Sequence, residues 1–494
     1  MSFAFGSFLL AQSVAAAPPP SSQHPYLLTA STPAGAYMSA ADLAQVDAHM
    51  QKLVDPAQAN VTKGAVVLIA HHGKVAFHKA YGKRDGNSHL CPPMPNSYGC
   101  DINASMPIDG IFDLQSMTKP FTSFLILKMA ELGLLNLDDE VNDYISGFDQ
   151  ALDGSGGLVY DAAKAGVTIR SLLQYSGGLD IDSATSLYGD TSPWTTMAHQ
   201  GLSYTPNTSV LYSDITYRLL GHIAEVAYLA HHPSQPQSLR KLVQLYITEP
   251  LGMTDTDYEP RALMPSTKYP RFVGTGSGSG GVNYYARGEV QDDQDHWIQR
   301  HNDTRAPSGV GCDGLFSTAR DLGQFAQMLL NRGARVKKIR DPSCSYVDPL
   351  TGDCGYYWSS MLSSMAVQQM TTYQTVNSSG YSLAPISTAD NWAQNLLHTS
   401  KGYGWEKKDG GSFSPSYRLM SSYTFSKTGG AGTFLTIDPQ NDMFTIVLTN
   451  HGLPEFSSFG VDPDGFYTWS GFDDMLSEIR PDIINKWAYN AIIR

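Results

Sequence analysis

Three short stretches of this 494-residue chain carry side chains that could do covalent chemistry together. In Leu114-Gln115-Ser116-Met117-Thr118-Lys119 a hydroxyl nucleophile stands three residues before an amine. On a helix, positions i and i+3 share a face, so the Ser116 hydroxyl and the Lys119 amine can point into one cavity. A serine at a helix start also sits where the positive end of the dipole favours negative charge on its oxygen. Lys119 can accept a proton only if burial or a neighbouring cation lowers its pKa. Tyr212-Ser213-Asp214 follows Ser116 by 96 residues, and Lys427-Thr428-Gly429-Gly430 lies 215 residues beyond Tyr212. A hydroxyl held beside an amine is a pairing that can supply an activated nucleophile, and the other two stretches add a phenol, a carboxylate and a second amine.

These groups require elements to hold them. Pro120 falls in the first turn of a helix, where its missing N–H is not needed. Phe121, Phe124, Leu125, Leu127, Met129 and Leu132 then recur until Gly133, which predicts a helix starting at the Ser116 turn. Residues 65–70 and 75–77 flank a His72-Gly73 turn and read as a hairpin. Residues 421–427, 433–437 and 443–448 read as an antiparallel meander that carries Lys427. Ser39 caps an expected helix through Leu53, and Phe472, Met475, Leu476 and Ile479 suggest a closing helix. Strands at both ends with helices between them predict an α+β fold. Its antiparallel sheet forms from the two chain ends, is flanked by helices and carries an inserted, mostly helical lobe.

Composition bounds the function. Hydrophobic content of 42% and charged content of 16% mark a globular protein. The net charge of −13, with no basic block, makes nucleic acid an unsuitable partner. Residues 1–17 read as a signal peptide with a small-residue cleavage site, and no other run of 18 apolar residues offers a membrane anchor. Secretion is therefore expected, with residues 18–38 as a linker and 39–494 as the catalytic domain. Its α/β part is expected at about 39–115 and 415–494, and its helical lobe at about 116–414. In that setting Cys91 with Cys100 and Cys344 with Cys354 read as local disulfides, leaving Cys312 free. Sequons stand at Asn60, Asn103, Asn207, Asn302 and Asn377, consistent with a glycoprotein. No metal is expected: His71 and His72 lack a third ligand at a suitable spacing. Residues 274–281 contain a formal G-x-G-x-x-G, but neither a strand nor a helix flanks it, so it reads as a loop.

With the three motifs in this order, the chain resembles the serine β-lactamase and penicillin-binding-protein superfamily. The closer likeness is to its class C-like branch, with D-alanyl-D-alanine carboxypeptidases, D-aminopeptidases and β-lactamase-fold esterases. Gly82-Lys83-Arg84-Asp85, Glu249-Pro250-Leu251-Gly252-Met253, Gly314 to Leu322 and Gly402-Tyr403-Gly404-Trp405 add to it. The resemblance covers about residues 40–450. It implies that Ser116 is acylated, that Lys119 and Tyr212 share the proton traffic, and that the N–H groups of Ser116 and Gly430 form an oxyanion hole. It further implies that Lys427 and Thr428, beside Gly429, hold a substrate carboxylate or polar neighbour, and that no cofactor takes part. The substrate is then a small molecule or short peptide with an ester, amide or lactam carbonyl.

One departure bears on activity. The branch usually carries Tyr-x-Asn where this chain has Tyr212-Ser213-Asp214. Ionised Asp only accepts hydrogen bonds, so Asp214 could instead pair with Lys119 or Lys427 and raise that lysine's pKa, by about one unit for a partly screened pair. This tilts the expectation toward an esterase or D-amino-acid peptidase and away from a true β-lactamase. The alternative is a catalytically silent binding or assembly protein. Asp214 could also turn to solvent or cap the following helix.

Overall fold

Strands from opposite ends of the chain meet in one sheet. The strands are β1 (Thr29–Ala30), β2 (Gly64–His71), β3 (Lys74–Gly82), β4 (Glu406–Lys407), β5 (Phe425–Gly429), β6 (Thr433–Asp438) and β7 (Met443–Thr449). Their order is β1-β3-β2-β7-β6-β5-β4, and the seam between the two ends runs from Ala65 opposite Thr449 to His71 opposite Met443. The computed structural model describes residues 28–57, 62–85, 101, 103–183, 187, 190, 192–275, 286–288, 290, 295, 298, 309–338, 356–374, 384–385, 401–407, 419–450, 460–461, 467–468 and 481–493. The expected leader, the four cysteines expected to form disulfides and the helix expected at Phe472 to Ile479 lie outside these residues, as do Asn60, Asn302 and Asn377. Asn103 and Asn207 are exposed.

The fold is α+β, with two corrections. The sheet is mixed, because β1 pairs parallel with β3 while its other neighbours pair antiparallel. The end of the expected 18–38 linker is therefore structure: Thr29 and Ala30 extend the sheet edge, and Ala36 and Met38 are buried. Outside this sheet, Tyr356–Ser360 pairs antiparallel with Ala334–Lys338.

Helices α1 (Ala40–Val54), α2 (Lys119–Glu131), α3 (Asp214–His231), α4 (Ala319–Leu330) and α5 (Pro481–Asn490) complete the frame. β2 is an unbroken apolar run because both of its faces are covered. Ala65, Val67 and Ile69 pack with Leu43, Val46 and Met50 of α1 and Ile484 and Ala488 of α5. Val66, Leu68 and Ala70 face the larger core, with Phe121 and Phe124 of α2 and Leu322 and Phe325 of α4. Each such Val, Leu or Phe side chain contributes about 1.5–3 kcal/mol on burial, which anchors α2 and the serine turn at its start. His71 Nδ1–H donates to the Ala36 carbonyl at 2.7 Å and His72 Nδ1–H to Asp442 at 2.8 Å, so both rings serve the fold. Among the described residues, no helix is long and apolar enough to cross a membrane.

Candidate active site

Ser116 sits in a 3-10 turn, Gln115–Thr118, that runs straight into α2. The turn is pinned from both sides. The Leu114 N–H donates to the Leu315 carbonyl at 2.9 Å, the Leu315 N–H to Thr118 Oγ1 at 3.2 Å, and the Gln115 N–H to Asp113 Oδ1 at 3.0 Å. Gln115 holds φ +47°, a left-handed backbone that a non-glycine residue adopts only under constraint. In a 3-10 turn, residues i and i+3 eclipse, and the Lys119 Nζ donates to Ser116 Oγ at 2.9 Å.

Tyr212 and Asp214 enter from the start of α3. The Leu211 N–H donates to the Tyr175 carbonyl at 3.0 Å and the Asp214 N–H to the Ile181 carbonyl at 2.8 Å. Ser213, not Asp214, caps the helix by accepting from the Thr216 N–H at 3.2 Å. Tyr212 OH therefore reaches Ser116 Oγ at 2.7 Å, its ring stacked on Tyr175 at 5.3 Å. The Asp214 carboxylate lies 2.6 Å from the Lys119 Nζ. Lys119 also donates to the Cys312 carbonyl at 3.2 Å. The Gly309–Gly314 segment brings that carbonyl in by threading between α2 and α3. A Cβ on Gly311 would come within 2.0 Å of the Tyr217 carbonyl, so only glycine fits there. Cys312 is itself a buried free thiol.

The charges fix the resting protonation. Burial alone would depress the Lys119 amine. Asp214, with Tyr212 and Asp313, outweighs burial and holds it well above the ordinary lysine range. Burial pushes the Tyr212 phenol up, although Lys119 opposes the shift. For Asp214, burial is overcome by Lys119 and Arg218, which hold its carboxyl below the usual range. At neutral pH the site thus rests as ammonium, carboxylate and phenol. Arg218, one turn along α3 and fully buried, pairs with Asp182 and, at 2.6 Å, with Asp295. Asp214, Cys312 and Asp313 bring ligand atoms within 4.8 Å of one another, but the Lys119 ammonium already supplies positive charge at Asp214.

The last motif lies on β5, beside the serine turn. A Cβ on Gly429 would meet the Leu114 carbonyl at 2.4 Å, and one on Gly430 would meet Gln115 Oε1 at 2.6 Å. Thr428 pairs with Phe434 across the β5–β6 ladder. Lys427 is buried, with its Nζ 4.6 Å from the Tyr212 ring centre. Its ammonium is taken by Glu406 at 2.6 Å, a partner the motif does not announce. Lys401 approaches the same Glu406 oxygen at 3.8 Å and stands 5.5 Å from the Tyr212 ring centre. Burial, with Lys427 and Lys119 adding to it, pushes the Lys401 amine down to about 7 against the pull of Glu406. Lys401, Glu406 and Arg218 were not singled out by motif. The visible signal for the first two was a pair of charges flanking the aromatic-glycine run Gly402 to Trp405.

The profile of the Beta-lactamase family matches residues 46–462. The chain belongs to the Beta-lactamase family. Among curated relatives of this Beta-lactamase-family chain, a protein of Escherichia coli O157:H7 named "Putative D-alanyl-D-alanine carboxypeptidase" is 27% identical over 446 residues, 86% of each chain. Among solved structures, "EstCE1, a hydrolase with promiscuous acyltransferase activity" superposes with a TM-score of 0.56 at 18% identity, covering 92% of this chain and 100% of that one. The unliganded simvastatin synthase LovD of Aspergillus terreus gives 0.57 at 16% identity, covering 91% and 100%. At these identities the structural likeness shows the fold.

Proposed function

We propose that this chain is a serine hydrolase that works through an acyl-enzyme on Ser116, acting on an ester or a D-amino-acid amide in preference to a β-lactam. The observation that carries this reading is the double contact on one oxygen: Ser116 Oγ lies 2.9 Å from the Lys119 Nζ and 2.7 Å from Tyr212 OH. The competent form holds one proton fewer over Lys119, Tyr212 and Asp214, which titrate as a group. In that form the Lys119 amine takes the Ser116 proton as Oγ bonds to the substrate carbonyl carbon. Backbone N–H groups of Ser116 and Gly430 receive the oxyanion. The proton then passes, by way of Tyr212, to the departing alcohol or amine as its bond to the carbonyl breaks. Water repeats the sequence on the acyl-enzyme, and Ser116 regains its proton.

Asp214 supports the choice of substrate. As a carboxylate it cannot donate to an acylamide carbonyl, so the site lacks a donor that a lactam or peptide side chain would use. Labelling with a fluorophosphonate probe tests the reading: intact mass should show one adduct, peptide mapping should place it on Ser116, and Ser116→Ala should abolish it. An adduct on another residue, or undiminished turnover in Ser116→Ala, overturns it. One observation favours a second reading, a binding module without turnover: Asp214 holds Lys119 in its inactive, protonated form. No adduct in the native protein would establish that alternative. The same proposal includes secretion, checked by N-terminal sequencing of the mature protein for cleavage near Ala16.

A further inference from the structure

Resting on the acyl-enzyme reading above, we propose that Glu406 is a specificity-determining residue. By holding Lys427 it closes the site to substrates with a carboxylate beside the scissile bond and selects uncharged esters or amides.

The argument begins with position. Glu406 opens the two-residue edge strand β4 and pairs in register with Ser426, next to Lys427. Its Oε1 lies 2.6 Å from the Lys427 Nζ, and the two side chains are 5% and 3% exposed. The pair is thus formed inside the protein, where a charge-assisted contact is little screened. Nor is Glu406 on a loose tether. Trp405 before it is buried, with its ring edge-on to Phe425 at 4.9 Å. Gly404 holds φ +77°, and a Cβ there would come within 2.8 Å of Ser123 Oγ and 3.1 Å of the Lys119 carbonyl. The segment is therefore keyed into the backbone of the helix that carries Lys119.

A substrate carboxylate arriving at Lys427 would meet a lysine already neutralised. It would also face the Glu406 carboxylate itself, whereas the charge of Asp214 is taken by the Lys119 ammonium 2.6 Å away. Lys401 does not restore a cation at mildly alkaline pH, since it is the amine pushed down to about 7. An uncharged group meets neither repulsion nor the need to break a buried pair.

The test uses two depsipeptides that differ only at one end: N-acetyl-D-alanyl-D-lactate with its free carboxylate, and the methylamide of the same compound. Both are measured at pH 8, by hydrolysis and by their power to slow fluorophosphonate labelling of the native enzyme. The methylamide should be favoured at least tenfold in both readouts. Glu406→Gln should shift that ratio at least tenfold toward the free acid, and Glu406→Asp should shift it less. Native enzyme that favours the free acid, or treats the two alike, overturns the proposal without any variant. An unchanged ratio in a folded Glu406→Gln protein overturns it too. If the native protein is not labelled at all, the acyl-enzyme reading fails and takes this one with it. Labelling combined with the wrong ratio sinks this proposal alone.

Discussion

Replacing Asp214 by asparagine should move the acid limb of the kcat/KM profile to lower pH. The geometry sets the size. The Lys119 Nζ and Asp214 Oδ1 are 2.6 Å apart, and the lysine side chain is 0% exposed. At an effective dielectric constant of 20, unit charges at that distance attract by about 6 kcal/mol. Part of this is not recovered as a shift: the Asp214 side chain is 24% exposed, and an asparagine amide oxygen still accepts from the ammonium. Contact with the Asp214 carboxylate favours the ionised lysine, so the acid limb of the native enzyme lies at higher pH than that of the variant. The sign follows from the ammonium form: Asp214 favours it, so removing the charge frees the amine at lower pH. At a pH on the acid limb of both proteins, the Asp214→Asn enzyme should be at least tenfold faster, about one decade for each unit by which the limb moves. The assay is kcat/KM for p-nitrophenyl butyrate from pH 5.5 to 10.5, with an acylamide substrate in parallel. The variant should also gain relative preference for the acylamide, because the asparagine amide can donate. Superimposable profiles with unchanged preference would refute the reasoning.

Three further outcomes follow from the same network. Lys401→Met should stabilise the protein at pH 7. The Lys401 amine is pushed down to about 7 when folded and returns to about 10.5 when unfolded, so between those values the unfolded chain binds the extra proton. Native stability relative to the variant should then rise with pH by about 1.4 kcal/mol per unit in that window, read by urea unfolding at pH 7, 8 and 9. Arg218→Ala leaves Asp295 buried without its guanidinium partner and should cost about 3–5 kcal/mol in the same assay. Gly404→Ala must strain a left-handed backbone and press on Lys119, so it should lower kcat at least tenfold and also reduce Tm.

The sequence made some of this plain and hid the rest, for physical reasons. The i, i+3 spacing of Ser116 and Lys119 is a local rule and needs no knowledge of the fold, as is the alternation that sends Val66 and Val67 to opposite faces of β2. Tyr212 and Asp214 were visible as types, yet the direction of Asp214 was not, because Ser213 and Asp214 could each have taken the cap. Glu406 and Lys401 were missed because pairing across a sheet edge has no signature in a single strand two residues long. The sheet's parallel edge was missed for the same reason: Thr29 and Ala30 follow a proline-rich stretch and are too few to alternate.

The seam between β2 and β7 has a consequence for how the protein comes into being. Ala65 pairs with Thr449. At about 5–20 residues per second of synthesis, the partner strand emerges roughly 20–80 s after β2 does. Throughout that interval β2, an almost wholly apolar strand, offers an unpaired edge, a template for pairing with other nascent chains. Production of this protein should therefore be limited by association of growing chains, more than by the stability of the finished fold. Slower initiation or added chaperone should raise the soluble yield, whereas a stabilising substitution in the completed core should not.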